Sequence, residues 1–284
     1  MTKNVLGCTC VSWVEKGASP VFPRFSRLLR RAALVSILLF LQVLTFRSLP
    51  AQTAPAPLAV INKGMNIQVG KWMEIQDNAT IVLDVFTVEV WVKASSRFVI
   101  ASRDWPGNHL PDWSVVYEGT RRRIEFMTGM NSLPDEYFWT ADNSFPPNIW
   151  NHLALVVNGP AGTAKVYING SLSGSFSFAG RNFTVNTGLA WGGYFANAGG
   201  ATGVGIIDEA RYWKGERTQS EIQALMNINI PDVTVLPNLH GWWRFCDNDD
   251  GSSIYGNHGT PKGSPPIVVI PDLPLGIFCN TELT

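Results

Sequence analysis

Charge is scarce in this chain. Only 15% of its 284 residues are Asp, Glu, Lys or Arg, and 22 of each sign leave a formal net charge of +0. Sequence-independent binding to phosphates needs clustered Lys and Arg. The densest basic run beyond the N-terminus is Arg121-Arg122-Arg123, which reads as the solvated tip of a hairpin, so the composition argues against nucleic acid as a partner. Cysteine is equally sparse, with four in the chain, and the four histidines (His109, His152, His240 and His258) have no spacing that suits zinc. Apolar runs are short as well. The one from Ala32 to Phe46 is interrupted by Gln42 and Thr45 and falls short of the roughly 18 to 20 apolar residues of a comfortable membrane span.

That run nevertheless has a setting. Arg24, Arg27, Arg30 and Arg31 precede it, and Arg47-Ser-Leu-Pro-Ala51 and a Pro/Ala-rich stretch follow. This is the order of charge, apolar core and small residues in a secretory signal. Residues 1–51 are set apart as an N-terminal extension and signal peptide, with cleavage after Ala51 or Ala54, and residues 52–284 as one domain. The expected location is secreted or at the cell surface; the alternative, an uncleaved anchor, is the one route to a membrane. Cys8 and Cys10 fall in the extension, leaving Cys246 and Cys279. In an exported protein these can pair and tie a late strand to the C-terminal tail. Alternatively Cys246, which follows Trp242-Trp243-Arg244-Phe245, is buried and Cys279 is an exposed thiol.

What the chain has in quantity is Gly (26), Pro (18) and Trp (11), a turn-rich and aromatic-rich composition. From about Pro57 to Ile270 it reads as short strands between turns. Phe86, Val88, Val90 and Val92 alternate with Thr87, Glu89, Trp91 and Lys93, and Phe98–Ala101, Trp113–Tyr117 and Arg123–Thr128 follow suit. Trp150–Val157 is apolar on both faces and so central. Asn169-Gly170 predicts a tight hairpin, with Leu172, Phe176 and Phe178 as the inward face of the return strand. No βαβ rhythm occurs, so an all-β sandwich of two antiparallel sheets is expected.

The stretch GVGIIDEARYWKGERTQSEIQALM, Gly203 to Met226, is the most informative. Its first half has period two. Uninterrupted alternation sets Ile206, Asp208, Ala210 and Tyr212 on one face and Ile207, Glu209, Arg211 and Trp213 on the other. Glu209 and Arg211 are then an exposed pair, with Glu89 as a neighbour. Thr218 and Glu221 form a capping box, and Ile222, Leu225 and Met226 follow at helical spacing, predicting one short helix.

This strand and helix, with GKWMEIQDN (Gly70–Asn78), FTVEVWVKA (Phe86–Ala94), NIWNHLALVVNG (Asn148–Gly159) and AKVYINGSLSG (Ala164–Gly174) before them, resemble in content and order the laminin-G-like domains of the concanavalin A-like lectin/glucanase superfamily. The resemblance implies a jelly-roll sandwich of bacterial secreted or surface type. It also implies a calcium ion at Asp208, whose carboxylate on an otherwise apolar face would need compensation; an Asp that caps loop amides is the alternative. Leu239–Gly263, with Asp250, Ser252 and Asn257-His258-Gly259, resembles the segment that borders such domains. It either closes this sandwich, the favoured reading, or begins a second copy.

Catalytic strings are missing. Glucanases of this superfamily carry E-x-D-x-x-E on one strand, and no such string occurs. The nearest carboxylates are Glu89, Asp135-Glu136 and Asp208-Glu209, and adjacent acids on a strand should face opposite ways. Recognition is better supplied. The loop Arg103–Asp112 holds Asp104, Trp105 and Asn108; Asn131–Pro147 holds Asp135, Tyr137, Trp139 and Asn143; Gly192–Gly203 holds Tyr194, Phe195 and Asn197. Rings that stack on a pyranose and polar groups that bond its hydroxyls suit sugars. Asp104, Trp105, Asn108, Trp139, Tyr194 and Asn197 are the candidate ligand residues of a non-catalytic binding or adhesion module for a glycan. The alternatives are an extracellular protein partner, bound through an apolar sheet face, and a divergent glycoside-active enzyme.

Overall fold

A strand with one apolar face must bury it against another layer. In the computed structural model, which describes residues 62–104, 111–130, 133–183, 188–194, 203–230, 233–246, 255–265, 267–270 and 272, fifteen strands do so as two antiparallel sheets. All described residues belong to one of two units into which the chain divides, Ala59–Thr284. The predicted extension and signal peptide, with Cys8 and Cys10, lie outside them.

The first sheet has eight strands: β1 (Lys63–Ile67), β3 (Val85–Ala94), β8 (Asn151–Asn158), β9 (Thr163–Ile168), β10 (Ser171–Ser177), β12 (Gly205–Lys214), β13 (Leu239–Trp243) and β15 (Ile267–Val269). Their order is β10-β9-β8-β3-β12-β1-β15, and β13 shares an edge of β12 with β1. The second has seven: β2 (Trp72–Ile75), β4 (Phe98–Asp104), β5 (Pro111–Glu118), β6 (Arg123–Met130), β7 (Leu133–Trp139), β11 (Leu189–Trp191) and β14 (Gly259–Lys262), in the order β14-β2-β11-β4-β5-β6-β7. Helix α1 (Gln219–Leu225) lies between β12 and β13 in the chain. This is the expected all-β sandwich with one short helix.

Between the sheets lies one core cluster. Phe86, Val88, Val90 and Val92 of β3 join Trp113, Val115 and Tyr117 of β5 and Phe126 of β6 in it, and the rings of Phe86 and Trp113 sit 4.9 Å apart. The other face of the eight-stranded sheet is covered too. Ile222 of α1 packs on Ala154, Val156 and Tyr167, which is why β8 is apolar on both sides. The Asn169-Gly170 hairpin turn forms as predicted, with both residues at positive φ. A Cβ on Gly170 would stand 2.8 Å from Gln223 Cγ, so the turn also fits closely against α1.

Three expectations fail, two of them for the same reason. A β-bulge opposes one partner with two residues and so exchanges inward for outward side chains beyond it. In β10 the register shifts between Leu172 and Gly174. Phe176 and Phe178 reach the core, but Leu172 is turned out and is 52% exposed. In β12 the register against β3 shifts between Asp208 and Arg211, and Glu209 takes a φ of 52°. Ile207 faces the core before the bulge, and Ala210 and Tyr212 after it. Asp208 therefore does not share a face with Ala210 and Tyr212. It points, with Glu209 and Arg211, to the helix-covered side, where all three are buried. The third failure is Leu133–Trp139, read as loop and found as strand β7. Pro134 and two acids obscure its alternation, yet Phe138 packs inward on Phe126 and Phe176.

The C-terminal segment adds strands to the sandwich. β13 pairs with β12 and β14 pairs with β2, so one segment contributes to both sheets. Asn257 is buried between them, donating to the His240 carbonyl, while its own carbonyl accepts from Trp243 Nε1 at 3.0 Å. Cys246 is disulfide-bonded; Cys279, the expected partner, lies outside the described residues. Non-reducing peptide mapping is expected to return a Cys246–Cys279 cross-link, closing a loop of about 30 residues that contributes roughly 4 kcal/mol.

The capping box is present. Thr218 Oγ1 accepts from the Glu221 amide at 3.3 Å, and Glu221 Oε2 accepts from the Thr218 amide at 2.7 Å. Thr218→Ala is expected to lower stability by about 1 kcal/mol in a urea melt, since Thr218 is exposed and loses no packing.

Candidate functional site

Residues two apart on a strand project from the same face, and at a sheet edge the long ones have room to stand exposed. On β7, the last strand of its sheet, this applies to Tyr137 and Trp139, 46% and 42% exposed. Their rings lie nearly parallel, 14° apart with centroids separated by 6.3 Å. Trp139 pairs across to Glu125 and Tyr137 to Met127. The indole is fixed by its neighbours: Nε1 donates to Glu125 Oε2 at 3.0 Å, and the Arg123 guanidinium stands 5.2 Å from its ring centre. Arg123 is held in turn by Asp142 at 3.1 Å and Glu118 at 3.6 Å. Burial, then Asp135 and Glu125, push the Tyr137 phenol up, so at neutral pH it is a protonated hydroxyl able to donate. The arrangement is a short row of planar groups, guanidinium, indole and phenol, bordered by carboxylates.

Of the residues proposed from sequence, Trp139 stands in this row. Asp104 ends β4, its side chain outside the described set, and Trp105, Asn108 and Asn197 also lie outside it. Tyr194 is half-buried and follows the Trp191 end of β11, which pairs with Ala101, whereas Asp104 lies beyond the Leu189 end, which pairs with Arg103. The backbone register thus sets Asp104 and Tyr194 toward opposite ends of the β4–β11 pair. Arg123 and Glu125 were not singled out as ligand residues. Their place beside Trp139 depends on cross-strand pairing, which no local pattern announces. Tyr137 was visible as the residue two before Trp139, once Leu133–Trp139 is a strand.

A second polar cluster lies beneath α1. Glu209 Oε2 accepts from Trp242 Nε1 at 2.6 Å and from Arg211 Nη2 at 3.0 Å, and Arg244 Nε stands 3.7 Å from Oε1. Glu209 and Arg211 are therefore a pair, as expected, but a buried one. Arg211 also donates to the Leu225 and Ile228 carbonyls at 2.7 and 2.8 Å, and Trp91 Nε1 to the Met226 carbonyl at 2.8 Å. Beside them, Glu89 lies 2.9 Å from Arg217 Nε and 3.5 Å from His152 Nε2.

Asp208 joins this cluster, 1% exposed, with Oδ1 accepting from the Glu209 amide at 2.8 Å. Burial, and then the Glu209 carboxylate, raise its pKa well above the usual carboxylate range. The charged groups acting on it besides Glu209 are Arg244 and Arg211, both cationic. Among the described residues no group of three or more His, Cys, Asp and Glu side chains is placed to hold a metal.

The fold agrees with what is known of other chains. A family model of the concanavalin A-like lectin/glucanases superfamily, of laminin-G type, matches residues 65–223. The chain belongs to that superfamily. No curated protein sequence matches it. Among solved structures, this superfamily member is similar to a "putative carbohydrate binding protein" from Bacteroides ovatus, at 15% identity and a TM-score of 0.56, over 75% of this chain and 61% of that one. The chain thus spans about three-fifths of that structure's length. It is also similar to the CBM40 of a Ruminococcus gnavus IT-sialidase, at 11% identity and a TM-score of 0.45, over 57% of this chain and 97% of that one. The binding domain of botulinum neurotoxin DC, solved with rat synaptotagmin II, matches at 13% identity and a TM-score of 0.44, over 59% and 46%.

A carboxyl whose folded pKa is raised contributes stability that is present at low pH and lost as pH rises through the folded value. Asp208→Asn keeps the acceptor for the Glu209 amide and removes that loss. In melting curves from pH 4 to 9 the variant is expected to gain on the wild type as pH rises, without added metal. A variant less stable than wild type at high pH, with the deficit abolished by chelator, would instead place a cation at Asp208.

Proposed function

We propose that the protein is an exported, non-catalytic binding module whose Tyr137–Trp139 row takes a carbohydrate. The observation that carries this reading is the exposed, near-parallel pair of rings on β7, held in place by Glu125 and Arg123. A pyranose offers an apolar face to such rings and hydroxyls to the carboxylates and guanidinium beside them. Membership of a superfamily of lectins and glucanases supports a sugar ligand, and the description of the Bacteroides ovatus protein is in keeping with it.

The reading as a binder is supported by what three of the acids weighed for catalysis do. Glu89 and Glu209 are committed to Arg217 and Arg211 beneath α1, and Glu136 is paired with Arg181. None of these three is free to serve as a general acid or nucleophile at the ring row. Calcium stays in the proposal as a dependence to be measured. Export rests on the N-terminal sequence pattern.

The full-length chain probed on a glycan array, with and without calcium, is expected to select a set of sugars. Trp139→Ala should then weaken the selected glycan about tenfold in calorimetry and leave the melting temperature near the wild-type value, because the ring stands outside the core. Unchanged affinity in the folded variant, or no glycan selected at all, would favour a protein partner instead.

A further inference from the structure

An extended strand advances about 3.3 Å per residue, so β7 covers roughly 13 Å between Trp139 and Asp135. That is longer than one pyranose, and the charged groups along it are unevenly committed. At the Trp139 end, Arg123 is held by Asp142 at 3.1 Å and by Glu118 at 3.6 Å. Glu125 accepts from the Trp139 indole at 3.0 Å and stands 3.7 Å from Arg97. Arg121 and Arg122 are exposed in the turn beyond Arg123, at this same end and roughly 20 Å along β6 from the level of Asp135.

At the other end the half-buried Asp135 has no hydrogen-bond or ion-pair partner among the described residues, and neither has the Tyr137 hydroxyl. The register of β6 against β7 shifts between Thr128 and Met130, so strand alternation alone does not show which way Asp135 faces. The Tyr137 phenol shows that its charge is felt in the row. After burial, Asp135 does most to push that phenol up, ahead of Glu125. The row therefore runs from cations already matched by carboxylates to a carboxylate matched by nothing described.

A neutral hydroxyl can bond to such a carboxylate, but an ammonium bonds to it about twice as strongly, and the face of an adjoining aromatic ring attracts the same positive charge. An acidic sugar would meet Asp135 as a like charge. At the Trp139 end, by contrast, an ammonium would meet the Arg123 guanidinium, which stands 5.2 Å from the indole centre.

We propose that the glycan taken by this row is an amino sugar with a free, protonated amine, its rings lying along Tyr137 and Trp139 and its ammonium on Asp135. The inference rests on the carbohydrate reading and adds to it the charge of the ligand.

The test uses three trisaccharides that share one β-1,4-linked backbone and differ at C2: cellotriose with hydroxyls, tri-N-acetylchitotriose with acetamides, and the glucosamine trimer with amines. Calorimetry is run on the full-length chain at pH 5.5, where the amines carry charge. The glucosamine trimer is expected to bind about fivefold or more tighter than either of the others, with the advantage shrinking in 0.5 M salt. Asp135→Asn should reduce that advantage over cellotriose to less than twofold, and Asp135→Glu, which restores the charge, should keep it; a melting curve shows that each variant is folded. The inference is overturned if the glucosamine trimer binds no tighter than cellotriose, if none of the three binds, or if the advantage survives in folded Asp135→Asn. Binding of all three without preference, lost in Trp139→Ala, would overturn the charge and leave the carbohydrate reading standing; that reading fails separately, on an array that selects no glycan.

Discussion

The bulge at Asp208-Glu209 is the constraint on which the helix-bearing half of the molecule depends. β12 pairs with β3 along one side, and along the other with β1 over Gly205–Ile207 and then with β13 over Ala210–Trp213. The extra residue sits where the partner changes. Without it, Ala210 and Tyr212 would leave the core and Arg211 would enter it. Glu209 pays a left-handed φ that L-residues avoid, at a cost of order 1 to 2 kcal/mol. Its carboxylate is positioned in return against Trp242, Arg211 and Arg244, contacts that a glycine in the same conformation could not make.

From that carboxylate the helix is docked. Arg211 reaches the Leu225 and Ile228 carbonyls, which lie at and beyond the end of α1, and Trp91 reaches Met226. A seven-residue helix is too short to be stable on its own. Its place is fixed by donors rising from the sheet at one end, by Ile222 against Ala154, Val156 and Tyr167 in the middle, and by the capping box at the other end. Buried ion pairs of this kind contribute little net stability over an apolar core, but removing one member leaves a charge unpaired. The cluster therefore specifies where the helix sits more than it strengthens the fold.

The sequence carried the sandwich because its strands alternate strongly, and β3, β5, β6 and β8 stand where the pattern put them. It carried the helix through one capping box. The errors arose where a local pattern is insufficient. Gly174 marked an irregular position in β10 but not the reversal that exposes Leu172, and nothing in Ile-Asp-Glu-Ala-Arg announces a non-glycine residue at positive φ. The candidate site was legible in part for a related reason. Trp139 was noticed as an aromatic among polar residues, but its partners come from β6, fourteen and sixteen residues earlier for Glu125 and Arg123, and only the sheet register brings them together.

Two arginine–tryptophan pairs, built alike, show how setting decides use. Arg123 on β6 and Trp139 on the edge strand β7 stand side by side, the indole donor already satisfied by Glu125 and the ring 42% exposed. What remains available there is π surface, which suits stacking. Arg217 and Trp213 lie under the helix, with the ring 3% exposed and the indole donor unsatisfied. Neither the ring nor its N–H is open to a ligand there. The same two side chains thus offer a surface in one setting and packing in the other. The difference follows from whether the ring was left exposed when the sheets packed.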